Sequence, residues 1–291
     1  MKITSEKRRE KLVPYLFIAP FIIAFIVFFV IPSGYSLVLS FFKYKGYGTA
    51  KYVGIDNYNK ILHYGKFWTA VYNTLFYYLL HLLPVMVISF LISVAIYSGL
   101  GKLGNVYKPV IYLSQVMPTV AAALVFKVLL STRTGVVNTL LGTSIPFLED
   151  NTLMKYSVTL LAVWRGMGWF VVIFCSGLTS INPQVIEAAK IDGASSFQIL
   201  IRVIIPLMRP IFLFAFVMDS ISSFKIYTEP TVLLESGNNM APPAGISIVG
   251  MLAQYLNQGN FGSAAAVGWI LFVIIFIFYL LENRILKGDD T

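Results

Sequence analysis

Three ionisable side chains stand inside long apolar stretches of the sequence: Lys127, Arg165 and Asp219. If these stretches cross a membrane, a charge within them is costly, which makes each residue a candidate for a solute pathway. Lys127 and Arg165 lie near the ends of their stretches, where a long cation also reaches the interface without any such role. Asp219, beside Ser220 and Ser223, is the better candidate, and a structural hydrogen-bond role is its alternative.

Aromatic side chains form a second set of candidates, because their rings can stack on the faces of sugar rings. The set comprises Tyr77, Trp164, Trp169 and Tyr227, together with the polar Asn73. The alternative for each Trp or Tyr is a place in the aromatic belt at the membrane surface. Aromatic residues make up 15% of the chain, which weakens the signal of any single one.

The sequence contains no motif for covalent chemistry. It lacks a phosphate-binding Gly-Lys-Ser/Thr loop, a serine elbow and a paired His-Glu helix motif. His63 and His81 are too few for a histidine-based metal site, and a single Cys175 predicts a small buried hydrophobic residue. We therefore expect no enzyme activity and no cofactor in this chain, and if the protein uses ATP, another chain must bind it.

The composition predicts which elements position these residues. Hydrophobic residues make up 57% of the 291 positions and charged residues 12%, against roughly 25% charged residues in soluble domains. A membrane-spanning helix needs about 20 apolar residues. Six runs reach this length, and they predict an all-α integral membrane protein with a single membrane domain. The predicted helices are at about 12–31, 69–97, 109–130, 156–178, 203–222 and 264–281, and Pro32 is expected to end the first.

Basic residues predict how the chain crosses the membrane. Lys7, Arg8, Arg9 and Lys11 precede the first run, which is too long for a cleaved signal peptide and has no cleavage site. This cluster places the N-terminus, and after six helices the C-terminus, on the cytoplasmic side, although the lysine-rich first outer loop argues the other way. We assign the net charge of +9 to contact with lipid head groups rather than with nucleic acid.

The segment 182–206 is unusually polar for this chain. Asn182 and Pro183 predict a helix start, and Gly193 predicts a break after the short helix. A second short helix is expected from Ala194, before the prolines at 206 and 210 bend the chain into the fifth span. On the predicted topology this helix, hinge and helix face the cytoplasm, where they form either a knob for another protein's groove or an amphipathic loop on the membrane surface.

The residue pattern of this segment resembles the EAA loop of permease subunits in binding-protein-dependent ABC importers. The match comprises Glu187-Ala188-Ala189, Gly193 after three residues, and Val203-Ile204-Ile205-Pro206. Residues 187–195, EAAKIDGAS, are similar to the branch that carries sugars, oligosaccharides and glycerol phosphates. The outer-loop stretch 52–58, the stretch 135–138 and residues 261–266 at the entrance to the last helix also resemble this family.

The resemblance implies a type I ABC importer permease fold in a bacterial or archaeal cytoplasmic membrane. It implies a second related permease subunit, two ATPase subunits that bind ATP and Mg²⁺, and an extracytoplasmic solute-binding protein. The EAA loop would sit in a cleft of one ATPase, with Glu187 meeting a basic group and Gly193 letting the two short helices cross. The coupling residues implied by the family are Glu187, Ala188, Ala189, Asp192, Gly193 and Pro206.

Three alternatives remain open at the level of sequence. A secondary transporter would work without an ATPase and often shows inverted repeats, which we do not find here. An integral-membrane enzyme would need clustered acids or histidines, whereas the acids of this chain are scattered. An ABC permease for another solute, such as glycerol phosphate, an amino acid, phosphate or a metal, would share the EAA loop.

Overall fold

The computed structural model describes residues 3–98, 104–234 and 241–287, and most of these residues lie in helices. Two short strands, β1 (Phe42–Lys43) and β2 (Lys51–Tyr52), pair antiparallel. The helices are α1 (Ile3–Phe25), α2 (Ile31–Leu39), α3 (Asp56–Leu62), α4 (Gly65–Tyr97), α5 (Gly104–Val116), α6 (Thr119–Leu129), α7 (Val136–Leu141), α8 (Leu153–Ser180), α9 (Pro183–Ile191), α10 (Ser196–Ile199), α11 (Ile205–Leu207), α12 (Arg209–Phe224), α13 (Thr228–Leu233), α14 (Ile248–Asn257) and α15 (Phe261–Lys287).

Among the described residues, four helical segments are long and apolar enough to cross a membrane. They are Val13–Leu39, Gly65–Tyr97, Leu153–Ser180 and Phe261–Arg284. Two further pairs of helices pass the same test together but are bent, so the number of spans rises to six if each bent pair is one span. The structure therefore allows the predicted number of spans.

The first span differs from the prediction that Pro32 ends it. A π-helical turn, Ile26–Val30, joins α1 to α2, and the helix continues to Leu39. Pro32 lies in the first turn of α2, where a missing backbone N–H is tolerated best. The extra residue in the π turn rearranges the backbone hydrogen bonds there, so the proline shifts the register of the helix without ending it.

The third and fifth apolar runs are bent rather than straight. Residues 109–130 were expected to form one helix, but Pro109–Val116 and Thr119–Leu129 meet at 99°, because Pro118 adopts extended backbone angles between them. In the fifth run, Ser196–Leu207 and Arg209–Phe224 meet at 67° around Met208. This bend falls between Pro206 and Pro210, which predicted a change of direction.

The described residues form two compact units, each considered separately. The first contains the chain up to His63 together with Leu252–Ile270. Its centre is the buried Asn57, which donates from Nδ2 to the carbonyl oxygens of Ser40 (2.8 Å) and Phe42 (3.0 Å). Asn57 Oδ1 accepts a hydrogen bond from Ser263 at 3.4 Å. Two stretches with family resemblance, 52–58 and 261–266, are thus joined through one amide side chain.

The second unit contains Tyr64–Met251 and the chain from Leu271 onward, and α8 lies at its centre. Gly166 and Gly168 let α8 approach its neighbours closely, since a Cβ on Gly166 would lie 3.0 Å from His81 Nε2 on α4. A Cβ on Gly168 would lie 2.9 Å from the carbonyl oxygen of Ile111 on α5. This close packing brings polar side chains of α4, α5 and α8 toward the same interior space.

Candidate functional site

Helices of the second unit line a partly open cavity of about 450 Å³. Five of the side chains that the sequence predicted for a solute pathway line it. They are Tyr77 of α4, Arg165 and Trp169 of α8, and Asp219 and Ser223 of α12. Two of the three charged candidates, Arg165 and Asp219, therefore share one cavity, although 54 positions separate them in the chain (219 minus 165).

Arg165 forms an ion pair inside this cavity. Its Nη1 donates to Oε1 of Glu229, in the first turn of α13, at 2.6 Å, and both side chains are mostly buried. Arg165 Nε has no hydrogen-bond partner among the described residues. The ion pair with Glu229 therefore holds the Arg165 guanidinium within the fold, and Nε remains an unused donor.

Asp219 also lines the cavity and is almost fully buried. Its Oδ2 lies 3.2 Å from Nδ1 of His81, without the alignment of a hydrogen bond, and has no hydrogen-bond partner among the described residues. His81 Nδ1 instead lies 3.0 Å from Ser223 Oγ. An unsatisfied buried carboxylate oxygen is uncommon, so Asp219 is available to an additional donor.

Aromatic side chains supply the apolar wall of the cavity. Trp169 lines the cavity and is 44% exposed, which leaves indole surface free for a ligand. Tyr77 is fully buried, and its hydroxyl donates to the carbonyl oxygen of Gly245 at 2.7 Å. The Tyr77 hydroxyl is thus already used by the fold, and only the ring can contribute to the cavity.

Five predicted pathway residues, including the half-buried Lys127 of α6, lie outside the lining. Asn73 is buried and donates from Nδ2 to the carbonyl oxygen of Ile246 at 2.9 Å, which fixes the segment before α14 against α4. The Trp164 ring packs 5.5 Å from that of Phe126. Ser220 lies 3.5 Å from the Tyr78 hydroxyl, and Tyr227 is half-buried just before α13.

Several lining residues were not among the sequence candidates. These are His81, Gln115, Ser222, Lys225 and Glu229. His81 and Gln115 lie within predicted spans, and a polar side chain at such a position was a usable signal. Glu229 falls beyond the predicted end of the fifth span, and its role depends on the short helix α13, which no hydrophobic period in the sequence predicts.

The polar segment 182–206 has the predicted helix, hinge and helix. Asn182 Oδ1 accepts from the backbone N–H of Gln184 at 3.0 Å, and Pro183 is the first residue of α9. The chain turns at Gly193, whose φ of +78° is costly for any residue with a Cβ. Ser195 and Gln198 then form a capping box that starts α10.

The same segment is largely open to its surroundings. Ile191 is 86% exposed and Phe197 72% exposed, although both are large apolar residues. Of the six predicted coupling residues, Glu187, Ala188, Asp192, Gly193 and Pro206 are exposed and Ala189 is half-buried. Buried contacts on the other side of the segment, including Ile199 and Ile204, join it to the core of the second unit.

The sequence matches, over residues 90–287, the family described as binding-protein-dependent transport system inner membrane component. The match includes more than half of the chain. The chain belongs to this family. It is therefore a multi-pass membrane protein of the permease type, and the resemblance noted in the segment 182–206 is confirmed at the level of the family.

Individual relatives give the same result over nearly the whole permease. The arabinooligosaccharides transport system permease protein AraP of Bacillus subtilis is 29% identical over 290 residues, which cover 96% of this chain and 91% of the relative. A bacterial ABC transporter structure, described as involved in the import of the acidic polysaccharide alginate, superimposes with a TM-score of 0.84 at 22% identity and full coverage of both chains. The predicted all-α fold of an importer permease is thus confirmed.

A second structure of an alginate ABC transporter, in complex with a periplasmic protein bound to an alginate pentasaccharide, also has a TM-score of 0.84. Its identity is 23%, and 99% of this chain and 98% of that chain are covered. At this level of identity the comparison shows that the permease shares its fold with these structures. It does not identify the solute or the partners of this chain.

Proposed function

We propose that this permease is the transmembrane subunit of an ATP-driven importer for a sugar or oligosaccharide. The observation that carries the proposal is the cavity in the second unit. It combines an exposed indole face with buried hydrogen-bonding groups, which is the chemistry that a sugar ring requires: its CH face stacks on an aromatic ring and its hydroxyl groups both donate and accept hydrogen bonds. Relatives named as oligosaccharide permeases, such as AraP, support the solute class.

The segment 182–206 is proposed as the site that an ATPase subunit engages. An exposed acidic residue, Glu187, and the exposed apolar side chains of Ile191 and Phe197 offer charge and hydrophobic surface to a groove. The segment leads directly into α12, which carries Asp219. Movement of the segment would thus be passed along the chain to a residue that lines the cavity.

The working assembly follows from this division of roles. A second, related permease subunit would complete the pathway, two ATPase subunits would bind ATP and Mg²⁺, and an extracytoplasmic binding protein would deliver the solute. With both termini in the cytoplasm, ATP-driven closure of the ATPases would switch the pathway between outward and inward access. The chain itself would carry out no covalent chemistry.

An importer for a different solute is the second candidate. Arg165 and Lys225 line the cavity and could bind an anionic group, as in a glycerol phosphate permease. The pairing of Arg165 with Glu229 argues against this, because the guanidinium is already neutralised. Family membership argues against a transporter that works without an ATPase and against a membrane enzyme.

The proposal is tested by purifying the full chain from native membranes in mild detergent and measuring co-purified ATPase and ATP turnover. The variants are Glu187→Lys and Gly193→Pro, with Glu149→Lys, the same charge reversal on an exposed acidic residue outside the segment, as the matched control. We expect the ATPase to accompany wild type and control, and to be lost or uncoupled in the two variants. Absence of an ATPase from every form would reject the proposal.

The solute class needs a separate measurement, made in whole cells. Uptake of radiolabelled oligosaccharides into cells is compared with uptake of glycerol 3-phosphate and of amino acids, in the presence and absence of the chain. Uptake of an oligosaccharide that depends on the chain supports the sugar class. Dependence of only the glycerol phosphate or amino acid signal would assign the permease to the second candidate.

A further inference from the structure

Glu229 is one of the charged side chains that line the cavity. Four formally charged side chains line the cavity, two cationic (Arg165, Lys225) and two anionic (Asp219, Glu229). The cation that is held deepest, Arg165, is paired with Glu229 at 2.6 Å. The formal charges of these four side chains sum to zero, so they present no excess positive charge to an anionic solute.

An anionic sugar unit would meet an unfavourable environment at this site. To contact the Arg165 guanidinium, a uronate carboxylate would have to displace Glu229 or lie beside it, and like charges repel strongly where water is scarce. The almost fully buried Asp219 adds a second negative group. Lys225 is exposed, and an ion pair with an exposed ammonium contributes little.

An uncharged sugar unit has no such penalty. A hydroxyl group can donate to the unsatisfied Asp219 carboxylate or accept from the Arg165 guanidinium, and neither contact requires the ion pair with Glu229 to break. Family membership does not decide between the two solute classes, since one relative is named for arabinooligosaccharides and a structural neighbour for an acidic polysaccharide.

We propose that Glu229 is a specificity-determining residue, which neutralises Arg165 and thereby makes the cavity select uncharged glycan units over uronates. This inference rests on the proposed function, since it assumes that the cavity binds a carbohydrate. Glu229 acts on charged solutes through Arg165. Removing the Glu229 charge should therefore improve the binding of a uronate relative to the binding of a neutral sugar.

The test uses the membrane complex that co-purifies with the full chain, washed free of soluble binding protein. Equilibrium dialysis measures the Kd of radiolabelled maltotriose and arabinotriose as neutral probes and of trigalacturonate as the acidic probe. The readout is the ratio of neutral to acidic affinity, which a general loss of folded protein does not change. For wild type we expect trigalacturonate to bind at least about tenfold more weakly than the better neutral probe.

Three variants isolate the charge effect. Glu229→Gln removes the counter-charge and should shift the affinity ratio toward trigalacturonate by about tenfold. The double variant Arg165→Gln/Glu229→Gln removes both charges and should lose that gain. Glu149→Gln makes the same chemical change on an exposed acid outside the cavity and should behave as wild type.

The outcomes separate this inference from the proposed function. Equal binding of trigalacturonate and the neutral probes by wild type would overturn the proposed role of Glu229, and so would an unchanged ratio of neutral to acidic affinity in Glu229→Gln. In both cases the cavity would remain a carbohydrate site. If the gain in relative affinity for trigalacturonate persists in the double variant, Arg165 does not mediate it, which also overturns the proposed role of Glu229. Absence of binding by every probe in every form would overturn the carbohydrate assignment, and the role of Glu229 with it.

Discussion

The exposed segment 182–206 and the cavity of the second unit differ in how their residues are brought together. In the segment, each structural feature is formed by neighbours in sequence: Asn182 caps α9, Gly193 turns the chain, and Ser195 pairs with Gln198. The cavity is assembled from five helices, α4, α5, α8, α12 and α13. Local sequence therefore specifies the shape of the segment, whereas the cavity depends on how the helices pack.

This difference predicts different responses to substitution. A change in the exposed segment should affect communication with a partner while leaving the fold of the chain nearly intact. A change among the buried cavity residues removes partners of groups that are shielded from water, and it should therefore lower the stability of the chain as well. Paired measurements of stability and transport can separate the two effects.

The largest loss of stability is expected from Arg165→Met. The substitution leaves Glu229 mostly buried without its counter-ion, and breaking one side of a buried ion pair costs about 3 kcal/mol. Unfolding in mixed micelles of increasing SDS content measures the change. Arg165→Met/Glu229→Leu should recover much of the loss, since no unpaired charge remains, and a double variant as unstable as the single one would contradict this account.

A smaller loss is expected from Tyr77→Phe. The substitution keeps the ring in the core but leaves the carbonyl oxygen of Gly245 without its hydrogen-bond donor, at a cost of about 1–2 kcal/mol. Tyr156→Phe is the control, because Tyr156 is 47% exposed on α8. If the two variants unfold at the same SDS content, the buried hydrogen bond does not hold the segment before α14 in place.

In the exposed segment, Gly193→Ala should cost only about 1 kcal/mol of stability, from forcing a side chain into the left-handed region at φ +78°. We expect ATP-dependent uptake to fall by about tenfold or more, because the turn at Gly193 shapes the proposed contact with the ATPase. Gly142→Ala provides a matched control, since Gly142 has φ +63° and equal space for a Cβ but lies outside the segment. Equal uptake by the two variants would argue against a coupling role.

Much of the fold could be predicted from the sequence because hydrophobic length is a strong signal in a membrane protein. The positions of the apolar runs, the cap at Asn182 and the left-handed turn at Gly193 follow from residue type and spacing. The 99° bend before Thr119 did not, since a proline in an apolar run is compatible with a kinked helix and with a broken one.

The cavity was predictable only in part. Arg165 and Asp219 were identified because a charge is rare in an apolar run, and both line the cavity. Asn73 and Trp164 lie outside the cavity lining, where their side chains contact other segments of the fold. Glu229 gave no signal, since only the tertiary position of α13 brings it to Arg165.

The smallest loss of stability is expected from a substitution at Asp150, just before α8, because its hydrogen bonds are local and exposed. Asp150 Oδ1 accepts from the backbone N–H groups of Leu153 (2.8 Å) and Thr152 (2.9 Å), and these bonds lower the pKa of the Asp150 carboxyl below its ordinary value. Because the pKa is lower in the folded state, the carboxylate stabilises the fold above an unfolded pKa of about 4. This stabilisation is lost as the pH falls through the folded pKa.

Asp150→Asn tests this directly, since asparagine can cap the same helix but does not titrate in this range. The difference in stability between wild type and Asp150→Asn should be constant above about pH 5 and shrink as the pH falls below about 4. SDS unfolding at a series of pH values measures it. A difference that does not depend on pH would show that the charge of Asp150 contributes nothing. If Asp150→Asn lost more stability than Tyr77→Phe, exposed hydrogen bonds would contribute as much to the stability of this chain as buried ones, contrary to the comparison drawn above.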